Sequence, residues 1–304
     1  MTVPNSSNEN RKLIWARVYQ DLLRHAVPDS RFDYDFMSFT PDFRGSNVAT
    51  DRIADLPCYK SASTMLITSD NSLESLRLRA LQDGKKLLVG TYRLRRGFFL
   101  LDPARIDAAR LELAASLDGM EKPGIGRAVS IAQIRDEGIR IDMCATGGLV
   151  FNEQGVVIFE GQSLFEVQWA MLHDIKALRI STRVVAVAHA CQVVDETQLG
   201  MQKMSPNKLG EVQCDYVVTP EKVFEVAAVV KPISSVDFET VDPDALQNIP
   251  PLQELMGIRT MDQIMAKAGI GEEKTKEREQ PSPPSAEEQM GMDIVAKLMK
   301  GYKA

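Results

Sequence analysis

Short apolar runs alternate with helix-length amphipathic runs through most of this chain, and that alternation limits its folds more than any other feature. TMLIT (64–68), KLLVGT (86–91), IDMCATGGLVF (141–151), VVIFEG (156–161), TRVVAVAHAC (182–191) and CDYVVTP (214–220) are rich in β-branched or aliphatic residues and of strand length. Between them, SLESLRLRALQDG (72–84) and SLFEVQWAMLHDIKAL (163–178) carry apolar residues at helical spacing. Strands that are apolar along nearly their whole length are buried on both faces. The pattern predicts an α/β fold with a mainly parallel sheet between helical layers. RKLIWARVYQDLLR (11–24) predicts a further amphipathic helix, and KVFEVAAVVKP (222–232) reads as a strand or a short helix.

The 304 residues allow one large domain or two small ones, and 44% hydrophobic content supplies a sizeable core. A net charge of −6 argues against a dedicated nucleic-acid binder, which needs a basic face. No apolar run reaches the ~18 residues of a membrane span. The start, MTVPNSSNEN, shows neither an apolar signal core nor an Arg-rich transit pattern, so the expected compartment is the cytoplasm. Cys58, Cys144, Cys191 and Cys214 are scattered, and the last three lie in apolar runs, as buried reduced thiols do. With His25, His173 and His189 far apart, neither zinc nor haem is expected.

The expected organisation is a flexible start over 1–10, an α/β domain over 11–252 and a helical extension over 253–270. A solvated linker follows over 271–289, nearly without apolar residues, and is expected to be disordered. An amphipathic helix over 290–304 ends the chain, with Met290, Ile294, Val295, Leu298, Met299 and Tyr302 on one face. It either docks on its own domain or offers a protein partner a helix to bind.

Three stretches carry more chemistry than packing requires. In GTYRLRRGFFLLDP (90–103), Arg93, Arg95 and Arg96 follow a strand, where α/β folds bind ligands and where arginine suits carboxylate or phosphate. In DMCATGGLVFNEQG (142–155), Gly147 and Gly148 follow another strand and allow close backbone approach. In AHACQVVDE (188–196), His189, Gln192 and Asp195 close a third. Neither a Walker A pattern nor GxGxxG occurs.

With RKLIW (11–15), PDFRG (41–45), RLRALQDGKKLLV (77–89), FEVQWAML (165–172), CDYVVTPEKV (214–223) and NIPPL (248–252), these stretches resemble the 5-formyltetrahydrofolate cyclo-ligase (methenyltetrahydrofolate synthetase) family. The similarity runs from about Arg11 to Pro251 and is nearest the family's methenyltetrahydrofolate synthase domain-containing branch. It implies a three-layer α/β/α fold of the ribose-isomerase and coenzyme A transferase type. It also implies ATP- and Mg²⁺-dependent conversion of 5-formyltetrahydrofolate to 5,10-methenyltetrahydrofolate. The formyl oxygen is phosphorylated, N10 attacks the activated carbon, and phosphate leaves.

Residue by residue, the resemblance places Arg11, Gly161, His189 and Gln192 with the nucleotide. Thr91, Arg93, Leu94, Gly147 and Gly148 fall with the substrate. Arg93, Glu166 and Asp195 become candidates for catalysis, the last two also for metal. Asp70, Asp142, Asp215, Thr219 and Pro220 match further family positions. The departures concentrate in polar positions. The phosphate loop G-K-G-x-G-Y-A-D reads here Phe159 to Glu166, keeps one glycine and puts Glu160 in place of the lysine. Tyr92 replaces a proline, Gly148 a serine and Ala190 an acid. Three readings follow: a divergent cyclo-ligase, an inactive pseudoenzyme that binds a folate, a nucleotide or a protein, and an enzyme retooled for another substrate.

Overall fold

Eight strands hydrogen-bond side by side in the order β13 (Val223–Glu225), β12 (Tyr216–Val218), β10 (Arg183–Val187), β7 (Met143–Thr146), β3 (Thr64–Ile67), β4 (Lys86–Gly90), β5 (Phe98–Leu101) and β6 (Arg127–Val129). The computed structural model behind this description covers residues 6–206, 210–232, 236–239 and 241–267. The linker over 271–289 and the terminal helix over 290–304 lie outside the described residues. Strands β12, β10, β7, β3 and β4 run parallel, and β13, β5 and β6 are antiparallel additions at the edges.

Alternation along each parallel strand builds two cores. Leu66, Leu88, Cys144, Val184 and Ala186 face one layer, which holds α7 (Ile131–Asp136), α8 (Phe165–Asp174) and the first turns of α10 (Pro250–Lys267). Met65, Ile67, Leu87, Val89, Met143, Ala145, Val185 and Val187 face the other. That layer holds α2 (Ser46–Asp55), α3 (Pro57–Ser61), α4 (Glu74–Gln82), α5 (Leu111–Ala115) and α6 (Leu117–Met120). The architecture is the three-layer α/β/α sandwich that the apolar strands imply. A third cluster joins α1 (Ser6–Leu22) to a small sheet of β11 (Val193–Val194), β8 (Val150–Asn152) and β9 (Val157–Phe159). A two-residue pair, β1 (Ala26–Val27) with β2 (Asp42–Phe43), brackets the aromatic-rich segment between them.

Several elements differ from the sequence reading in extent. Helix α1 is described from Ser6, within the stretch over 1–10 expected to be flexible. The run 141–151 divides into β7 and β8 at Gly147 and Gly148, where the chain leaves the large sheet. The run 222–232 contributes only the short edge strand β13. In place of a helical extension over 253–270 alone, α9 (Pro243–Asn248) is followed by α10, which starts at Pro250. The chain divides after Ile258 into two compact units, the second described over Arg259–Lys267. Cys144 and Cys214 are buried, Cys58 and Cys191 half-buried, and all four are free thiols. No helix among the described residues is long and apolar enough to cross a membrane.

From β3 the chain moves outward to β4, then returns past β3 to β7, β10 and β12. The direction of winding reverses between β3 and β7, so a crevice opens at their carboxyl ends. Beneath it lies Arg77, 1% exposed. Its Nε donates to the Ala115 carbonyl at 2.7 Å, and its Nη1 donates to the Thr68 and Asp70 carbonyls at 2.8 and 3.1 Å. Replacing it removes three buried hydrogen bonds and leaves the Thr68 and Ala115 carbonyls without these donors. Arg77→Met is expected to lower unfolding free energy by about 2–4 kcal/mol, read as a lower urea midpoint with unchanged slope.

Candidate functional site at the carboxyl edge of the sheet

The crevice between β3 and β7 is filled from within. Asp70, 3% exposed, accepts from the Thr68 hydroxyl and, at 2.8 Å, from the Gly147 amide. Burial pushes its carboxyl above the usual range. A Cβ on Gly147 would lie 2.8 Å from the Asp70 Cβ, so this carboxyl and a side chain at 147 exclude each other. Gly148 meets the Phe151 ring in the same way, at 2.5 Å.

Next to it, the loop after β4 is wound into a tight turn. Thr91 is buried and internal to that turn: its hydroxyl donates to the Gly97 carbonyl at 3.1 Å and accepts from the Arg96 amide at 3.0 Å. Arg93 and Leu94 adopt left-handed conformations, φ 51° and 55°. Such backbone costs roughly 1–2 kcal/mol per residue and is characteristic of binding sites. The turn carries the Arg93 guanidinium to Gln162, whose Oε1 accepts from Nε at 2.6 Å. Gln162 Nε2 donates to the Met37 carbonyl at 2.7 Å, and the Tyr92 hydroxyl to the Ser38 carbonyl at 2.7 Å. The Phe32 ring stacks on Tyr92, 5.5 Å between centroids. Arg93 is thus bordered by aromatic rings and by the segment between β1 and β2.

A second group surrounds the start of α8. Glu160 accepts from the Phe165 amide and, at 3.4 Å, from the Glu166 amide. Burial, reinforced by the neighbouring Glu166 charge, raises Glu160 to about 8. Glu166 is raised to about 7, first by burial and then by the charge of Glu211. Arg11 bonds Glu211 at 2.6 Å and the Ile158 carbonyl at 3.1 Å.

The remaining candidates are engaged with other groups. His189 stacks on His25 at 4.1 Å between centroids and accepts from the Cys191 amide at 3.3 Å. Burial, and then the His25 charge, lower its pKa. Gln192 is buried; its amide donates to the Gly148 and Leu149 carbonyls at 2.8 and 3.2 Å. Asp195 accepts from the Thr197 amide at 3.0 Å, starting a short 3₁₀ turn. Asp142 and Asp215 sit at the opposite, amino edge. Asp142 accepts from the Ser63 amide at 2.8 Å, and buried Asp215 pairs with Arg183 at 2.5 Å and Lys231 at 2.6 Å. The partnerships of Arg93 with Gln162 and of Arg11 with Glu211 had no sequence signal, because each joins residues far apart in the chain.

The profile of the 5-formyltetrahydrofolate cyclo-ligase family matches residues 19–204, more than half of the chain, and the chain belongs to that family. A methenyltetrahydrofolate synthase domain-containing protein from Homo sapiens is 28% identical over 220 residues, covering 71% of this chain and 54% of the relative. Its counterpart from Danio rerio is 25% identical over 229 residues, covering 75% and 56%. The chain therefore spans about half the length of the curated relatives it matches. The NMR structure of Aquifex aeolicus 5,10-methenyltetrahydrofolate synthetase aligns with TM-score 0.41 at 16% identity, over 78% of this chain and 99% of that one.

The family uses ATP and Mg²⁺. The side chains present here do not fit them in this arrangement. Arg11 already has a carboxylate partner, three glutamates crowd the start of α8, and Glu160 takes the helix amides. Among the described residues no group of three His, Cys, Asp or Glu side chains is placed to hold a metal ion.

The two raised glutamates set a pH dependence. In the unfolded chain both lose their protons near pH 4.5, whereas the native chain keeps them until about pH 7 and 8. Between those limits the unfolded state binds fewer protons, so stability falls as pH rises. Glu166→Gln is expected to raise stability at pH 8 by on the order of 1–2 kcal/mol, allowing for partial exposure. It is expected to leave stability at pH 4 unchanged, as thermal melts at the two pH values can show.

Proposed function

We propose that this chain is a cyclo-ligase-fold binding module. It holds a reduced folate such as 5-formyltetrahydrofolate at the carboxyl edge of its sheet and does not close it to 5,10-methenyltetrahydrofolate. The observation that carries this reading is Arg93, held in left-handed backbone beside the Phe32–Tyr92 stack. A folate is a flat heteroaromatic ring with a carboxylate tail. Aromatic faces suit the ring and a guanidinium suits the carboxylate. The glutamates around α8 oppose the polyphosphate that the cyclisation requires. Four free cysteines suit the reduced cytoplasm, where we place this function.

A working, divergent cyclo-ligase is the second reading, supported by Thr91, Arg93 and Leu94 standing at matched family positions. One experiment separates the two. The purified chain is mixed with 5-formyltetrahydrofolate, with and without Mg-ATP, while melting temperature and methenyltetrahydrofolate absorbance are followed. The expected result is a folate-dependent rise in melting temperature with no absorbance change. Arg93→Ala is expected to weaken folate binding about 10- to 100-fold, as the loss of a charge-assisted hydrogen bond does. Absorbance that grows only with Mg-ATP, and disappears in Arg93→Ala, would establish the enzyme instead.

A further inference from the structure

We propose that Glu160 is a built-in plug: its carboxyl group occupies the amide donors that open helix α8, and so denies them to the phosphate of any ligand. This deepens the binding-module reading by naming what keeps polyphosphate out, and rests on that reading only in taking ATP chemistry to be absent.

The first amides of a helix have no partners within it and point out along the axis, where the helix dipole favours an acceptor. In α8, ten residues long, the residue just before the helix offers no side-chain bond of its own. That residue is Leu164, which cannot cap. Glu160 serves instead from five residues upstream of Phe165. Its Oε1 accepts from the amides of Phe165 and Glu166, and the Ser163 hydroxyl lies 3.5 Å away. A phosphate oxygen would need the same donors, so the two acceptors compete for one place.

The chain between is shaped for this return. Gly161 takes φ +91°, and a Cβ there would lie 2.9 Å from Thr40 Oγ1, so a side chain is excluded both by conformation and by space. Leu164 takes φ 52°, a left-handed value unusual for a branched side chain. Among the described residues no lysine or arginine pairs with Glu160. The charges that act on it are those of Glu166 and Asp70, which are of its own sign. An ion pair therefore does not explain why an acid stands here; the helix amides do. Because the group is raised to about 8, at neutral pH it blocks chiefly by occupying the donors, and it adds repulsion only in alkaline solution.

The test uses the full chain and inorganic pyrophosphate, followed by calorimetry and thermal melts at pH 7. Wild type is expected to show no saturable binding at millimolar pyrophosphate. Glu160→Ala and Glu160→Ser are expected to bind it at least about 10-fold more tightly, and to melt higher in its presence. Glu160→Gln keeps an oxygen on the amides and should gain nothing, which separates occupancy from charge. Wild type binding as tightly as Glu160→Ala, or folded small variants that gain no binding, would overturn the plug. Should the small variants not fold, hydrogen exchange in the wild-type chain decides. The Phe165 amide must be protected, and rapid exchange there is fatal to the proposal. A parallel titration of the same proteins with 5-formyltetrahydrofolate keeps failure of the plug distinct from failure of the folate reading.

Discussion

The bond from the Gly147 amide to the Asp70 carboxyl ties together the carboxyl ends of β3 and β7, the two strands between which the sheet reverses its winding. An open α/β sheet splits at that point, because its connections depart to opposite sides. Here the split is spanned by one buried acid, which also accepts from the Thr68 hydroxyl. Much follows from that placement. Residue 147 must lack a side chain, since the Asp70 carbons stand where its Cβ would be. Arg77 must lie beneath, because the Thr68 carbonyl in the same turn otherwise faces a dry interior. Any ligand must approach from outside this pair, toward Arg93 and α8.

The same device, an acid set on backbone amides, recurs at two helix starts. Glu254 of α10 accepts from the Ile131 and Ala132 amides, at 2.8 and 2.9 Å, and docks that helix on α7. Glu160 does so for α8 from nearby in sequence. Carboxyl groups suit helix starts because their oxygens complete the orphan donors while the dipole favours their charge. The cost at α8 appears in the raised pKa values of Glu160 and Glu166, two acids held close together under partial burial. A carboxyl group already seated on those amides, acceptable in a cap, leaves them closed to a triphosphate oxygen.

Arg93 shows how far the sequence could be read at the site. Its position after a strand marked it as a ligand group, and the structure sets its guanidinium against Gln162 and the Tyr92 ring. Its bond to Gln162 across 69 positions, and the bonds of Gln162 and Tyr92 to the Met37 and Ser38 carbonyls, left no trace in the local pattern. His189, Gln192 and Asp195 illustrate the opposite outcome. They look alike as polar groups closing an apolar strand, yet one stacks on an imidazole, one braces buried carbonyls and one starts a 3₁₀ turn.

Glu160 is legible in the sequence as an acid where the family's phosphate loop has lysine. Only the tertiary structure shows that acid folded back upon the helix it precedes, through left-handed residues that no periodicity announces. By itself the sequence determined the layers. Nearly continuous apolar strands buried on both faces and helical runs between them permit little besides a three-layer sandwich, and the winding order seen in the structure then settles where its crevice lies. It could not determine which polar groups share a hydrogen bond. Those pairings depend on distances of about 3 Å between residues up to 200 positions apart, as for Arg11 and Glu211, and such distances exist only once the layers have packed.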